Sequence, residues 1–570
     1  MGVTARRKTA QMKLFDQAAG KKRGKTRKPK APIAEAPASQ PEETPLRRGE
    51  TPRRRETAES LATRQREISV SEFFTKNRHL LGFDNPAKAL LTAIKEAVDN
   101  SLDACEEAGI LPEIEIAIRE VAEGRFRISV ADNGPGIVKG QIPKIFGKLL
   151  YGSKFHVLKQ SRGQQGIGIS AAGMYSQLTT GKPVRIVSRT AKGKPAHFYE
   201  ITIDTRKNMP QILNEGVEEW AHDHGTRVEM EIQATYKKGR RSVDDYIAQT
   251  ALANPHARIL YTDPKGEAID YPRLTEELPR EPVAIKPHPY GVELGVLMKM
   301  MKETRSRNLR GALQADFSRV SGKVADAVAE AAGLKPSARP QALPPDAIER
   351  LYKAIPTVKI MSPPTNCLSP IGETLIAEGL SKMLPDCEFA TSVTRSPAVY
   401  RGNPFQVEAG LAYGGSLPAD DLIDLWRFAN RVPLQYQQSA CAITRSVVMT
   451  DWKNYTLSQA RGALPTAPMV LFVHMASAWV PFTSESKEAI AAYPEIVKEM
   501  KLVLQECGRR LGAFLRRRRR QEDAEKKRSY IEKYIPHIGI ALREILALSA
   551  REESKVVSTL KDTLERSRTV

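Results

Sequence analysis

Polar and apolar positions change period several times along the chain. From about Pro86 to Ala108 the spacing is helical: Ile94, Val98 and Leu102 form one stripe at i, i+4, i+8. Alternation with a period of two then predicts strands over EIEIAI (113–118), RFRISVAD (125–132), VRIVSR (184–189), HFYEITID (197–204) and TRVEMEI (226–232). Order is expected to begin near Ile68, and this first mixed region to close near Pro282. Helices interleaved with an antiparallel sheet predict an α+β sandwich, one face of the sheet covered by helices. From Gly291 to about Ile355 helical spacing takes over, in short runs with polar turns, which predicts a small helical insert. After MSPPTN the pattern is mixed again. It predicts a helix over Gly372–Met383, strands near FQVEAGLAYGG and APMVLFVHM, and a final helical segment from Ser486 to about Leu548. That segment includes RRLGAFLRRRRRQEDAEKKR, a charged rod. No internal repeat is visible. The expected organisation is therefore a tail (1–66), a first α+β domain (67–285), the helical insert (286–360), a second α+β domain with a long helix (361–530) and a C-terminal segment (531–570).

Composition narrows the class. Hydrophobic residues at 41% and charged residues at 27% fit folded domains rather than a disordered chain. The uncharged stretch Gly462–Ser484 is interrupted by prolines and His474, so it is read as a buried strand and not a membrane span. Five cysteines (Cys105, Cys367, Cys387, Cys441, Cys507) without a CxxC suggest neither a disulfide framework nor a zinc site, and fit a reducing cytoplasm. The net charge of +22 points to a polyanionic partner. Residues 1–56 hold sixteen Lys and Arg against six Asp and Glu, and the stretch KKRGKTRKPKAPIAEAPASQPEETP within them has almost no large apolar residues. Such a tail is expected to be disordered, and either binds nucleic acid loosely or only solubilises the chain.

The helix at 86–108 carries a second stripe, Glu96, Asn100 and Asp103, turned away from the apolar one. Taken alone it is the wet face of an amphipathic helix. Its neighbours change that reading. A strand ends at Asp132 and runs straight into Asn133-Gly134-Pro135-Gly136-Ile137; SRGQQGIGISAAG (161–173) follows, and later His224-Gly225-Thr226. Each piece suits a nucleotide. A carboxylate at a strand end can accept the hydrogen bond of adenine's amino group. Gly134 and Gly136 let the backbone approach a base. RGQQGIG offers backbone N–H groups at a helix start, where phosphates are favoured. Asn100 is a neutral oxygen ligand suited to Mg²⁺. Glu96, one turn away, is placed to orient and deprotonate a water attacking the γ-phosphate. GxxxxGK[ST] is absent, so this is no P-loop.

The set ExxxNxxDA, DNGPGI, RGxxGIG and a later GT resembles the Bergerat-fold ATPases, the group of gyrase, the ninety-kilodalton heat-shock chaperone, histidine kinases and MutL. GKLLYGSKFH, SRGQQGIGISAAGMYSQLTTGKP, the helical insert and PFTSESKEAIA (481–491) narrow the resemblance to the B subunits of DNA topoisomerase VI, from about residue 67 onward. The basic tail has no counterpart in it. The resemblance implies a Bergerat ATPase domain, a helix-two-turn-helix-like insert and a transducer domain with a long C-terminal helix. It implies Glu96 as general base, Asn100 as the Mg²⁺ ligand that also touches the phosphates, and Asp132 as the adenine acceptor. Ser153 and Lys154 would line the site, and Thr226 would support the base side. The lid would be Gly163, Gln164, Gln165, Gly166, Ile167, Gly168, Ile169 and Ser170. Lys487, a surface lysine on its own merits, would reach across to the γ-phosphate as sensor. Lys238, Arg240 and Arg241 resemble a lysine-glycine-arginine-arginine DNA loop, and Trp452, Lys453 and Tyr455 a second DNA motif.

The implied function is the ATP-operated subunit of a type IIB topoisomerase. It would use ATP and Mg²⁺, dimerise on ATP, capture double-stranded DNA and drive strand passage with a cleaving A subunit in an A2B2 heterotetramer, at the nucleoid in the cytoplasm. The segment 533–548, apolar at helical spacing, would dock on the A subunit or else pack within the chain. The competing reading is an ATP-operated clamp of the chaperone or mismatch-repair type, without strand passage. A B-like subunit that supports breaks without passage also stays open. None of the nine histidines marks a phosphoacceptor helix ahead of the ATP domain, which argues against a histidine kinase.

Overall fold

The computed structural model describes residues 57–65, 67–154, 157–163 and 166–566. The expected disordered tail lies outside the described residues except for 57–65. The chain divides into two units, Met1–Arg66 and Glu67–Val570. In the first, the described residues form one short helix, α1 (Ala58–Ala62), capped by the Thr57 side chain. All other elements belong to the second.

A short helix, α2 (Val70–Lys76), precedes α3 (Pro86–Glu107). Helix α3 starts where the sequence supplies a start. Asn85 caps it by accepting from the Lys88 N–H, and Pro86 stands at its first position. Its apolar stripe, including Ile94, Val98 and Leu102, is buried on the sheet that follows. Strands β1 (Glu113–Ala122) and β2 (Arg125–Asp132) come next, then α4 (Ile142–Gly147) and α5 (Gly168–Thr180). The strands β3 (Val184–Arg189), β4 (Ala196–Asp204), β5 (Met209–Glu218) and β6 (Gly225–Gln233), the helix α6 (Val243–Ala253), and the strands β7 (Arg258–Thr262) and β8 (Ala268–Tyr271) complete the layer pair. The sheet has the order β5-β4-β3-β6-β2-β1-β7-β8, antiparallel throughout except for the parallel pair β1/β7. Alternate residues such as Ile114, Ile116, Ile118, Ile128 and Val130 point into one core beneath α3, α5 and α6, so the sheet is covered on one face as expected.

Helices α7 (Leu294–Glu303), α8 (Leu309–Asp316), α9 (Gly322–Ala331) and α10 (Pro345–Ala354) enclose their own small core around Leu297, Leu313, Phe317 and Leu351. The second sheet follows α11 (Glu373–Met383) and contains β9 (Phe389–Thr394), β10 (Ala398–Tyr400), β11 (Asn403–Tyr413), β12 (Asp424–Ala429) and β13 (Val432–Pro433). Next come α12 (Ala442–Val448), the two-residue strands β14 (Ser458–Gln459) and β15 (Pro465–Thr466), and β16 (Met469–Ser477). The order is β10-β11-β16-β12-β13, with β9 also on β11. Every residue of β16 is buried, because helices cover both faces of this sheet. That is why its sequence reads as an unbroken apolar run.

The last helical region begins later than expected. Residues 484–493 form a loop, and α13 runs from Pro494 to Leu546. Its first turns bury Ile496, Met500, Val503 and Leu504; its middle is exposed. Ala547, in the left-handed conformation, ends it, and α14 (Ala550–Arg566) folds back. Val557 meets Gly539, and Arg543 pairs with Glu553 at 2.8 Å. Packing within the chain thus occupies one side of 533–548, while Tyr530, Ile531, Tyr534, Ile538 and Ile545 stay exposed.

Candidate active site

Helix α3, the loop after β2, residues 151–154, 163 and 166–167, the start of α5 and two segments of the second sheet region enclose a cavity of about 310 Å³, large enough for a nucleotide. Glu96 and Asn100 face it from α3. Lys95 Nζ lies 3.3 Å from Glu96 Oε1 and 3.3 Å from Asp99 Oδ2. Burial pushes the Glu96 carboxyl up, but Lys95 and Lys487 outweigh it and hold Glu96 below the usual carboxylate range. Gly168, the first residue of α5, lies against the same carboxylate. A Cβ there would sit 1.7 Å from Glu96 Oε2.

The end of the cavity at Asp132 is built by hydrogen bonds around that carboxylate. Its Oδ1 accepts from Gly134 N–H (2.9 Å) and Thr226 N–H (3.2 Å), and its Oδ2 accepts from the Ser101 hydroxyl (2.8 Å). Burial nevertheless pushes this carboxyl up. The glycines are dictated by space. A Cβ on Gly136, at φ +69°, would fall 2.0 Å from the Arg189 carbonyl oxygen, and one on Gly225 2.1 Å from that of Asp132. His224 Nδ1 lies 2.8 Å from the Gly134 carbonyl oxygen, and Thr226 Oγ1 3.0 Å from Ser188 Oγ. His224-Gly225-Thr226 therefore clamps the DNGPG turn.

The lid is anchored from below. Asp103, third member of the polar stripe, accepts from Lys154 Nζ (2.8 Å), Arg162 Nη1 (2.9 Å) and Gly163 N–H (3.3 Å). Burial acts against the Asp103 carboxylate, yet these cations keep its pKa below the ordinary value. Arg162 is fully enclosed and also pairs with Glu106 at 2.7 Å, which in turn meets His256 at 2.7 Å. Ser153, Lys154, Gly163, Gly166, Ile167, Gly168, Ile169 and Ser170 line the cavity. Gln164 and Gln165 lie outside the described residues. Asn100 is exposed, with its carboxamide oxygen beside Gly163.

From the second sheet region, Pro433–Tyr436 and Glu485–Glu488 complete the wall. Lys487 Nζ reaches in and donates to the Arg162 carbonyl at 3.2 Å. Burial pulls its pKa below the ordinary lysine value despite the nearby Glu96. Sequence reasoning misses Lys95, Ser101 and Glu488 as residues that line the cavity, and Arg162 as one that braces it. Ser101 and Lys95 adjoin the motif residues, and only tertiary contacts distinguish them from other polar helix positions.

The two basic motifs lie apart from the cavity. Arg240 is exposed, while Lys238 Nζ bridges Asp263 and Glu267 at 2.9 and 2.7 Å. Arg241, with φ +62°, donates its N–H to Asp245. In the second motif Trp452 is completely buried and its indole N–H donates to the Val447 carbonyl, so the ring forms core rather than surface. Lys453 is exposed, and Tyr455 rests on α13 at Gly508.

Residues 85–236 match the histidine kinase-, DNA gyrase B- and HSP90-like ATPases, and residues 363–527 match the topoisomerase VI B subunit transducer. The first sheet and its cavity thus define a Bergerat-class ATPase, joined to a transducer that contributes one wall of the site. The B subunit of type 2 DNA topoisomerase 6 from Archaeoglobus fulgidus is 48% identical over 511 residues, covering 90% of this chain and 84% of that one. Its namesakes from Methanococcoides burtonii (50% over 508 residues; 89% and 82% covered) and Natronomonas pharaonis (36% over 674; 86% and 84%) are similar throughout. The chain belongs to the family of type 2 DNA topoisomerase 6 B subunits, as its motifs indicate.

Proposed function

We propose that this chain is the ATP-driven gate of a type IIB topoisomerase, working with a separate cleaving A subunit on double-stranded DNA. What supports the reading best is that Glu96 of the ATPase layer and Lys487 of the transducer enter the same cavity, so one nucleotide can be felt by both. Glu96 acts as general base, held ionised by its two lysine neighbours. Asp132 accepts the adenine amino group, with Thr226 as its support. Ser153, Lys154 and the lid from Gly163 to Ser170 enclose the phosphates, and Lys487 senses the γ-phosphate as a compact point charge.

Among the described residues no cluster of three or more His, Cys, Asp and Glu is placed to hold a metal. The exposed Asn100 oxygen therefore fits Mg²⁺ only as one ligand of an ion otherwise held by phosphate and water. That ion would neutralise phosphate charge; Asn100 fixes its place, one turn from Glu96.

Two such chains associate on ATP, and in the A2B2 assembly the exposed apolar residues of α13 dock on the A subunit. Arg240, Arg241, Lys238 and Lys453 contact DNA phosphates, with Tyr455 and Trp452 shaping the second contact. Among the described residues no helix is long and apolar enough to cross a membrane; the site of action is the nucleoid.

The test is plasmid relaxation and decatenation with ATP and Mg²⁺, with and without the A subunit, using wild type and Glu96→Ala. Strand passage should need both subunits, ATP and Glu96, with hydrolysis falling on the order of 10²–10⁴-fold in the variant. ATP hydrolysis with no change in DNA linkage under any condition would instead identify a clamp.

A further inference from the structure

The residue after the sensor lysine has a partner of its own. Glu488 is buried, and its carboxylate lies 2.6 Å from Lys88 Nζ. Lys88 stands in the first turn of α3, where the helix dipole disfavours a cation, so its presence there needs another cause. Its ammonium is nearly enclosed by Glu488, by Asp84 at 3.0 Å and by the Tyr436 ring at 5.4 Å. Glu488 and Tyr436 both come from the transducer side. Lys487 itself has φ +53°, a backbone state that a residue with a side chain keeps only when its surroundings impose it. The imposed features are the turn from Lys487 N–H to the Ser484 carbonyl (3.1 Å), the Thr483–Ala489 contact (2.9 Å) and the Glu488 ion pair.

We propose that Glu488, locked to Lys88, is the positioning residue that aims Lys487 into the nucleotide cavity and sets its distance from Glu96. One rigid helix carries both ends of the arrangement. Lys88 and Glu96 are eight residues apart on α3, roughly 12 Å along its axis. A loop pinned at Lys88 is thereby registered against the general base. This inference rests on the role given to Lys487 above.

The test is a double-mutant cycle in the reconstituted complex with the A subunit and duplex DNA, reading ATP turnover and strand passages per ATP. Glu488→Gln and Lys88→Met should each lower kcat about tenfold with KM for ATP within about threefold, as expected when a reacting group is misplaced but binding is kept. In the Lys487→Met background neither should cause a further fall, because each acts through Lys487. Lys88→Arg should keep most of the wild-type rate. Additive losses alongside a slow Lys487→Met would overturn the role of Glu488 alone. Wild-type turnover in Lys487→Met would remove the sensor role and this inference with it. Should Glu488→Gln fail to fold, Glu488→Asp keeps the charge and shortens the reach. A lowered passage-to-ATP ratio at unchanged melting temperature would support the proposal, and a wild-type ratio would overturn it.

Discussion

Gly168 shows how tightly residue chemistry is set at this site. A methyl group there would lie 1.7 Å from Glu96 Oε2, so Gly168→Ala must displace either the lid or the carboxylate. Misplacement by about 1 Å at a reacting group costs on the order of 10²-fold, so ATP turnover in Gly168→Ala should fall by about that factor while the melting temperature holds. The pH profile follows from the charges around Glu96. With Glu96 as the proposed general base, catalysis needs the ionised carboxylate, and its pKa lies below the ordinary 4.5. Turnover should therefore stay level as pH falls from neutrality and drop only below about 4.5. Lys487→Met removes one stabilising cation and should move that acid limb upward, measurable as kcat against pH. Glu96, Asn100 and Asp132 are legible because each sits in a short motif whose chemistry is local. Ser101 and Glu488 are not, because their partners arrive from elsewhere in space: Ser101 on α3 meets Asp132 at the end of β2, and Glu488 meets a helix some 400 residues earlier; Lys95 has partners on its own helix, but nothing local separates it from any other i,i+4 ion pair.

Elements are legible in proportion to how far burial shapes them. Strand β16 announces itself by its apolar run alone. Phe472, wholly buried between the two helical layers, should cost about 3–5 kcal/mol on replacement by Ala, read from the urea midpoint. Strand β5 escapes the pattern for the opposite reason. It is an edge strand with Met209, Ile212, Leu213 and Val217 exposed, held by its ladder to β4 and by α4 at Pro210, so no alternation marks it. The pattern starts the last helix at Ser486 and not at Pro494, since 486–493 shares the composition of α13 but turns at Lys487 into the nucleotide site. Glycines 508 and 512 let α13 receive Tyr455. Gly508→Val, with its first side-chain carbon 2.4 Å from the Tyr455 ring, should unseat the Lys453 turn. If Lys453 binds a phosphate, the slope of log K for duplex DNA against log salt should then fall by about 0.9.

At the scale of the whole molecule, buried charge joins the residues beside the lid to α3, and a side-chain amide joins them to the second sheet region. Arg162 is held by Asp103 and Glu106, and the Asn430 side chain donates to the Ser161 carbonyl at 3.0 Å. Glu106→Gln would leave Arg162 under-compensated and should cost about 3–5 kcal/mol in thermal or urea unfolding. The sign of its pH dependence is set. Burial opposes the Glu106 charge, but Arg162 and His256 hold its pKa well below 4.5. Its contribution is present above the unfolded-state pKa and is lost as pH falls through the folded value, so the wild type should lose its advantage over Glu106→Gln in acid. Removing 531–570 should abolish co-purification with the A subunit while leaving ATP turnover of the remaining chain within about twofold, since none of the described residues in 531–566 belongs to either sheet's core. The sequence by itself determined the periodic elements, the glycine positions, the nucleotide motifs and the family, because these depend on contacts a few residues apart or on side-chain type. Only the tertiary structure decided that Lys487 reaches the cavity, that Asp103 and Arg162 anchor its lid, and that Trp452 is core. Those facts depend on which distant backbones the two sheets bring together, and no local period records that.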